Sequence, residues 1–359
     1  MTPSPMLDAD FVVARRSFDV IAQLILDPGE RLSLFGPSGA GKTTCLEAIA
    51  GTVVLKEGRI RLDGRLVNAA RERRIRHPPD QPVEARKRGV ALVRQPTTLF
   101  PHLSVRANVT YRLRGKRLFG HRSLEHLLED VGLDGLADAA PDSLSGGQRQ
   151  RACLARAIAR PFRALLLDEP FSAVDAPSRV RLRHIAIDAS TRAEAVAVLV
   201  THDLAEAQAF AHRLGIMDEG RIVQLGSTED LVRQPATVRV AQLVGYSSFV
   251  PHDSGKAWAL HPDRFVEGAS PDRGVVLTGT VRSVQPFGPR FACELVPLAG
   301  PLQDEARTGP PAPPSLGAPP SQPVVRVHVD LPPRVGDTWE VTALSPPLVE
   351  GSPNRSGNG

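Results

Sequence analysis

No stretch constrains the fold of this 359-residue chain more than 36-GPSGAGKT-43. It fits G-x-x-x-x-G-K-[ST], follows the apolar run Arg31–Phe35, and precedes a helical pattern from Cys45 to Ala50 that Gly51 stops. Glycines there let backbone N–H groups curve around the α- and β-phosphates of a nucleotide at a helix N-terminus. Lys42 then reaches the β- and γ-phosphates, and the Thr43 hydroxyl suits Mg2+. Gly36, Pro37, Ser38, Gly39, Ala40, Gly41, Lys42, Thr43 and Thr44 are the expected ATP-binding set.

A phosphate loop needs a second magnesium contact and a way to activate water. The run 163-RALLLDEP-170 reads as a buried strand delivering Asp168 and Glu169 at its carboxyl end, where ligands bind in such sheets. Asp168 suits the Mg2+ shell. Glu169, one residue on, points differently and suits the general base for an attacking water. His202 follows another apolar run, 198-VLVTHD-203, and Gln95 ends a third, 90-VALVRQ-95. Neither argues for chemistry alone, since a lone histidine there is more often a structural hydrogen-bonder. Strands alternating with helices predict an α/β fold with a largely parallel sheet.

A second glycine-opened helix lies at 142-DSLSGGQRQRACLARAIAR-160, which contains no lysine. Backbone amides and the helix dipole supply positive potential at Gly146 and Gly147, and the missing side chains admit a phosphate closely. This terminus need not serve the site that holds Lys42. Two copies packed head-to-tail would let each chain's 144-LSGGQ-148 close over the other's ATP.

The ordered set GPSGAGKT, Gln95, LSGGQRQR, LLLDEP, Ser172–Asp175 and His202 resembles the ATP-binding-cassette (ABC) ATPase family over roughly residues 10–235. The resemblance implies that Gln95 senses Mg2+ and water and couples to a membrane partner. It also implies that Ser145, Gly146, Gly147 and Gln148 bind ATP in trans, that Asp175 helps join two active sites, and that His202 contacts the γ-phosphate. Many family members stack adenine on an aromatic residue upstream of the phosphate loop. Here that region reads 13-VARRSFDV-20, where Phe18 alternates like a core residue and Arg15 or Arg16 could cover the base. The adenine contact stays open.

Along the rest of the chain, Asp63-Gly64 and Glu219-Gly220 predict hairpins over 58–68 and 213–225, and 103–160 is mostly helical in pattern. The polar, basic segment 69–89 reads as a surface loop, longer than the family's usual connection there. Beyond about residue 240, alternation in 274–284 and 324–344 predicts a small antiparallel β-barrel. Nine prolines among residues 297–323 predict a disordered insertion. The expected organisation is a cassette over 1–240 with a helical subdomain at about 103–160. A second β domain over 241–346, interrupted at 297–323, and a disordered tail over 347–359 complete it.

A net charge of +5 permits nucleic-acid contact without arguing for it, and three scattered cysteines suggest a reduced protein without disulfides. No apolar stretch suffices for a membrane helix, so any membrane role is borrowed from a partner. One cassette without a span excludes a fused exporter half. The long coiled-coil insertion of the DNA-repair branch and the tandem cassettes of translation factors are also missing. The stretch LFPHLSVRANV and the C-terminal β region resemble bacterial importer subunits of the molybdate, sulfate, iron, polyamine and sugar group. There, 261-HPDRF-265 followed by GVVLTGTVRSV looks like the start of a TOBE-like accessory barrel, and Leu99–Val109 resembles the molybdate type most. The resemblance implies a homodimer closed by ATP and Mg2+ at the cytoplasmic face of the cell membrane. Its partners would be integral-membrane permease subunits and, indirectly, a periplasmic or lipid-anchored solute-binding protein, with no direct nucleic-acid contact. The alternative is a soluble ABC ATPase acting on nucleic acid or ribosomes, supported only by the charge and the arginine-rich loop.

Overall fold

The structure, a computed structural model, describes residues 4–70, 82–95, 98–111, 113, 118–121, 123–251, 254, 256–267, 274–297, 324–330, 333–344 and 346–350. It divides into two compact units, Met1–Thr228 and Glu229–Gly359.

The first unit runs β1 (Leu7–Val13), β2 (Val20–Leu26), β3 (Arg31–Phe35), α1 (Lys42–Ala50), β4 (Glu57–Leu62), β5 (Arg65–Ala70) and β6 (Val90–Val93). It continues through α2 (Val105–Val109), α3 (Leu124–Asp130), α4 (Gly146–Ile158), β7 (Ala164–Asp168), α5 (Ala176–Arg192) and β8 (Val196–Thr201). Then follow α6 (Leu204–Phe210), β9 (Arg213–Asp218) and β10 (Arg221–Ser227). The ten-stranded sheet has the order β5-β4-β1-β2-β10-β9-β3-β8-β7-β6. Five neighbours, β9-β3-β8-β7-β6, are parallel. Every residue of β7 and β8 is buried, as a strand covered on both faces requires.

The sheet is mixed rather than largely parallel. Two-residue turns join only antiparallel strands, and both hairpins have them. Asp63 and Gly64 lie at φ 52 and 70, Glu219 and Gly220 at φ 43 and 79, the positive-φ pairs that match strand twist. The core forms on both sheet faces. Leu165, Leu167, Ala197 and Leu199 pack with α4 and α5, whereas Leu166, Val198 and Val200 pack with α1 and β1. Helix α1 ends at Gly51 (φ 80), and the buried Arg88 guanidinium donates to Ala48 O (3.2 Å), Ile49 O (3.1 Å) and Val83 O (2.8 Å). That arginine satisfies carbonyls a helix end leaves orphaned.

After α7 (Thr228–Arg233) and α8 (Val238–Leu243), the second unit contains β11 (Ser248–Pro251), β12 (Ala257–Leu260), β13 (Phe265–Glu267), β14 (Gly274–Phe287) and β15 (Arg290–Pro297). β16 (Val325–Val329), β17 (Thr338–Leu344) and β18 (Leu348–Val349) complete it. Its strands form a three-stranded sheet, β11-β12-β18, and a five-stranded sheet, β13-β17-β14-β15-β16, both antiparallel. Among the described residues these are two open sheets rather than one closed barrel. The tail is ordered further than composition suggests. Leu348 pairs with Trp258, Val349 is fully buried, and Glu350 exchanges backbone hydrogen bonds with Ala236 and Val238. An apolar Leu-Val pair with a free sheet edge beside it gains by pairing. The centre of the basic segment (71–81), the proline-rich insertion (298–323) and the end of the tail (351–359) lie outside the described residues. No described helix is long and apolar enough to cross a membrane.

Candidate functional site

The parallel strands align their carboxyl ends. Phe35 lies opposite Thr201, Val200 opposite Asp168, and Val93 opposite Leu167. The phosphate loop, His202, the Asp168-Glu169 pair and Gln95 therefore leave the sheet along one edge, where ligands collect in α/β folds.

The loop after β3 is shaped by its glycines. A Cβ at Gly36 would lie 2.0 Å from Met217 O, and Gly39 and Gly41 hold φ 82 and 98. The buried Lys42 ammonium donates to Gly36 O (2.9 Å) and Pro37 O (2.8 Å) at the mouth of the loop. Burial pulls its pKa down, while the charges of Glu169 and Asp168 oppose that pull. The Thr43 hydroxyl lies 3.0 Å from each Asp168 carboxylate oxygen. Burial pushes the Asp168 carboxyl upward, reinforced by Glu169 and Glu47 and opposed by the Thr43 hydrogen bond and Lys42. A crowded carboxylate beside a hydroxyl is a donor set that fits Mg2+, which takes one or two protein oxygens and completes its shell with phosphates and water. Among the described residues, no group of three or more His, Cys, Asp or Glu is arranged to hold a metal ion.

At the third residue of α1, the Thr44 hydroxyl accepts from Arg15 Nη2 (2.6 Å) and Nε (2.9 Å), and Arg15 also meets Glu47 at 2.9 Å. Phe18 instead packs into the core, its ring filling the space a Cβ at Gly220 would take. Of the upstream candidates, Arg15 is the one the structure brings to the loop's helix.

Glu169 stands in the left-handed region at φ 44. Its N–H donates to Val200 O (3.0 Å), and its carbonyl accepts from Gln150 Nε2 (2.9 Å) and Ser172 Oγ (3.1 Å). Glu169 Oε1 lies 3.1 Å from His202 Nδ1. The carboxylate is largely shielded and the imidazole is exposed, an arrangement of a base oriented by a second group. Gln95 is exposed two residues past β6.

The turn before α4 is built differently. Ser145 Oγ accepts from Gln148 N (3.2 Å) and Gln148 Oε1 accepts from Ser145 N (2.8 Å), a complete capping box. Gly146 faces open space, whereas a Cβ at Gly147 would meet Ala173 O at 2.9 Å. The Asp175 carboxylate caps α5 through Ser178 N (2.9 Å), which holds its pKa below the usual carboxylate range. Among the described residues, no hydrogen bond or ion pair joins Ser145–Gln148 or Asp175 to Lys42, Thr43, Asp168 or His202.

Sequence reasoning missed Gln150 and Ser172 as supports of Glu169. Gln150 was detectable: it shares the stripe of Cys153, Leu154, Ala157 and Ile158, so a polar side chain falls on the apolar face of α4.

Residues 21–172 match the family model described as ABC transporter. The sulfate/thiosulfate import ATP-binding protein of Bradyrhizobium diazoefficiens is 37% identical over 322 residues, 80% of this chain and 89% of that protein. Fe(3+) ions import ATP-binding proteins of Pseudomonas fluorescens and Serratia marcescens are 40% and 38% identical over 64% of this chain, which spans 62% and 65% of their own length. A solved dimeric ATP-binding cassette in a post-hydrolysis state, bound to ADP and Pi, shares 25% identity at a TM-score of 0.50, covering 62% of this chain and 99% of that one. With its motifs on one sheet edge and these relatives beside it, this chain belongs to the ABC transporter family.

Proposed function

We propose that the chain is the ATP-hydrolysing, energy-coupling subunit of a bacterial importer, working as a head-to-tail homodimer at the cytoplasmic face of the membrane. The observation that carries this reading is the Glu169–His202 contact of 3.1 Å beside the Thr43–Asp168 pair. In the reaction, Lys42 and the loop amides bind the β- and γ-phosphates. Glu169 takes the proton of the attacking water as the new O–P bond forms and the bond to the β-γ bridging oxygen breaks. His202 keeps the Glu169 carboxylate oriented. Thr43, Asp168 and Gln95 would hold Mg2+, which neutralises charge on the phosphate oxygens when bound.

For the dimer, the support is the turn at Ser145–Gln148. Its side chains are satisfied at home, and Gly146 leaves its outer face open for a phosphate from elsewhere. Asp175, at the start of α5, joins the two sites in this reading. ATP then holds two chains together and hydrolysis releases them, and this cycle drives a separate permease. We assign residues 1–240 to the cassette and the C-terminal sheets to a TOBE-like accessory module without chemistry. The relatives are named for import of Fe(3+) ions as well as of sulfate/thiosulfate and sn-glycerol-3-phosphate, and an anion is the cargo class we favour, with molybdate the first to test and Fe(3+) the counter-case.

The test is an affinity pull-down of Glu169→Gln with ATP from detergent-solubilised native membranes, read by mass spectrometry. A polytopic permease in the catch supports the importer reading. Ribosomal or DNA-associated proteins without a permease overturn it.

A further inference from the structure

Gln150 is only 4% exposed, and both ends of its amide are engaged across elements. Nε2 donates to Glu169 O at 2.9 Å, and Oε1 accepts from Ala173 N at 3.1 Å. Four residues earlier on the same helix lies Gly146, and at Gly147 the missing side chain leaves the Ala173 carbonyl packed directly against α4. Ala173 is thus gripped on its N–H by Gln150 and on its carbonyl by the first turn of α4. The Glu169 backbone, meanwhile, holds a conformation that a side-chain-bearing residue keeps only when its surroundings fix it. Among the described residues, three protein groups besides Gln150 contribute: the Val200 carbonyl, the Ser172 hydroxyl and, more distantly at 3.4 Å, the Ser172 N–H. Both Ser172 groups lie on the loop that Glu169 itself begins. Gln150 is the contact that anchors the Glu169 carbonyl to a rigid helix.

We propose that Gln150 is a positioning residue for the proposed general base. Its amide fixes the Glu169 carbonyl and the Ala173 N–H together, and so aims the carboxylate at the attacking water and at His202. The proposal rests on Glu169 being that base. Without the amide, the Glu169–Pro170 peptide, whose carbonyl Gln150 holds, can rotate while the phosphate loop, Lys42 and Thr43 keep their own contacts, so nucleotide binding and turnover separate.

The experiment uses the full chain with Gln150→Leu, which keeps the volume and removes both hydrogen-bonding groups, and Gln150→Met as an unbranched second variant should the first not fold. The expected kcat falls about 10- to 100-fold, as a small misplacement of a reacting group costs. KM and the affinity for a fluorescent ATP analogue stay within roughly twofold, the split that marks an interaction used in turnover and not in binding. Combined with Glu169→Gln, the Gln150 substitution adds nothing to the residual single-turnover rate, because the group it aims is already gone. A folded Gln150 variant with wild-type kcat, or losses that multiply in the double variant, overturns the proposal while leaving the base assignment standing. Wild-type turnover by Glu169→Gln itself would remove the base assignment, and this proposal with it.

Discussion

Gly36–Thr43 and Ser145–Gln148 both place glycines at a helix N-terminus, yet they are completed in different ways. The phosphate loop gathers its chemistry within one chain: Lys42 closes over loop carbonyls, Thr43 meets Asp168, and Glu169 meets His202 on the next strand end. The second turn is self-contained, because its serine and glutamine spend their hydrogen bonds on each other. One terminus is half of a reaction centre, and the other is a finished cap with an open outer face. The difference teaches that glycine alone does not mark a phosphate contact. Gly36 is required by the approach of Met217 O inside the fold, whereas nothing among the described residues requires Gly146.

The largest effect should come from the first region. Glu169→Gln is expected to lower kcat by roughly 10²- to 10⁴-fold, the usual share of a general base, while still binding ATP. Size-exclusion chromatography with ATP should then find it at twice the monomer mass; a monomer with full turnover would break the assignment.

A pair of glycine substitutions sharpens the comparison. Gly36→Ala forces a Cβ against backbone, so unfolding free energy should drop by about 1–3 kcal/mol and nucleotide affinity should fall with it. Gly146→Ala meets nothing within 4 Å, so chemical denaturation should place it within about 0.5 kcal/mol of wild type. Its nucleotide binding as a monomer should be unchanged and its hydrolysis lost. Equal hydrolysis by Gly146→Ala and wild type would remove the argument for a partner phosphate at that turn.

The smallest effect concerns Asp175. Its carboxylate is held below its ordinary value chiefly by the Ser178 N–H, so its capping stabilises the fold at neutral pH. That contribution is lost as pH falls from the ordinary aspartate range of about 4 through the lower folded value. The difference in melting temperature between wild type and Asp175→Ala should therefore be constant from neutral pH down to mild acid and narrow below it. A gap that widens on acidification would contradict the capping role.

Much of this was legible in the chain. The phosphate loop, the apolar runs Ala164–Leu167 of β7 and Val196–Val200 of β8, and the Asp63-Gly64 and Glu219-Gly220 turns are local patterns whose physics acts within a few residues. Ser145-x-x-Gln148 also carries its capping box openly, although the glycines between draw attention to a phosphate instead. What stayed hidden depends on distant partners. The strand at Leu348–Val349 forms because β12 offers an edge, and no spacing announces that. Gln150 earns its burial from the Glu169 carbonyl 19 positions away and from Ala173. Arg15 meets Thr44 and Glu47, about 30 positions further along the chain, so its contact with α1 needed the fold.

The most direct test of the composite site mixes two inactive chains. Lys42→Ala lacks the phosphate cation, and Ser145→Arg blocks the second turn. If each site takes its loop from one chain and its turn from the other, the mixed dimer rebuilds one intact site. Hydrolysis should then return to about a quarter of wild type, since half of randomly paired dimers are mixed and each has one working site. A mixture no more active than the two variants measured separately would contradict the account, because both turns would then serve a site within one chain.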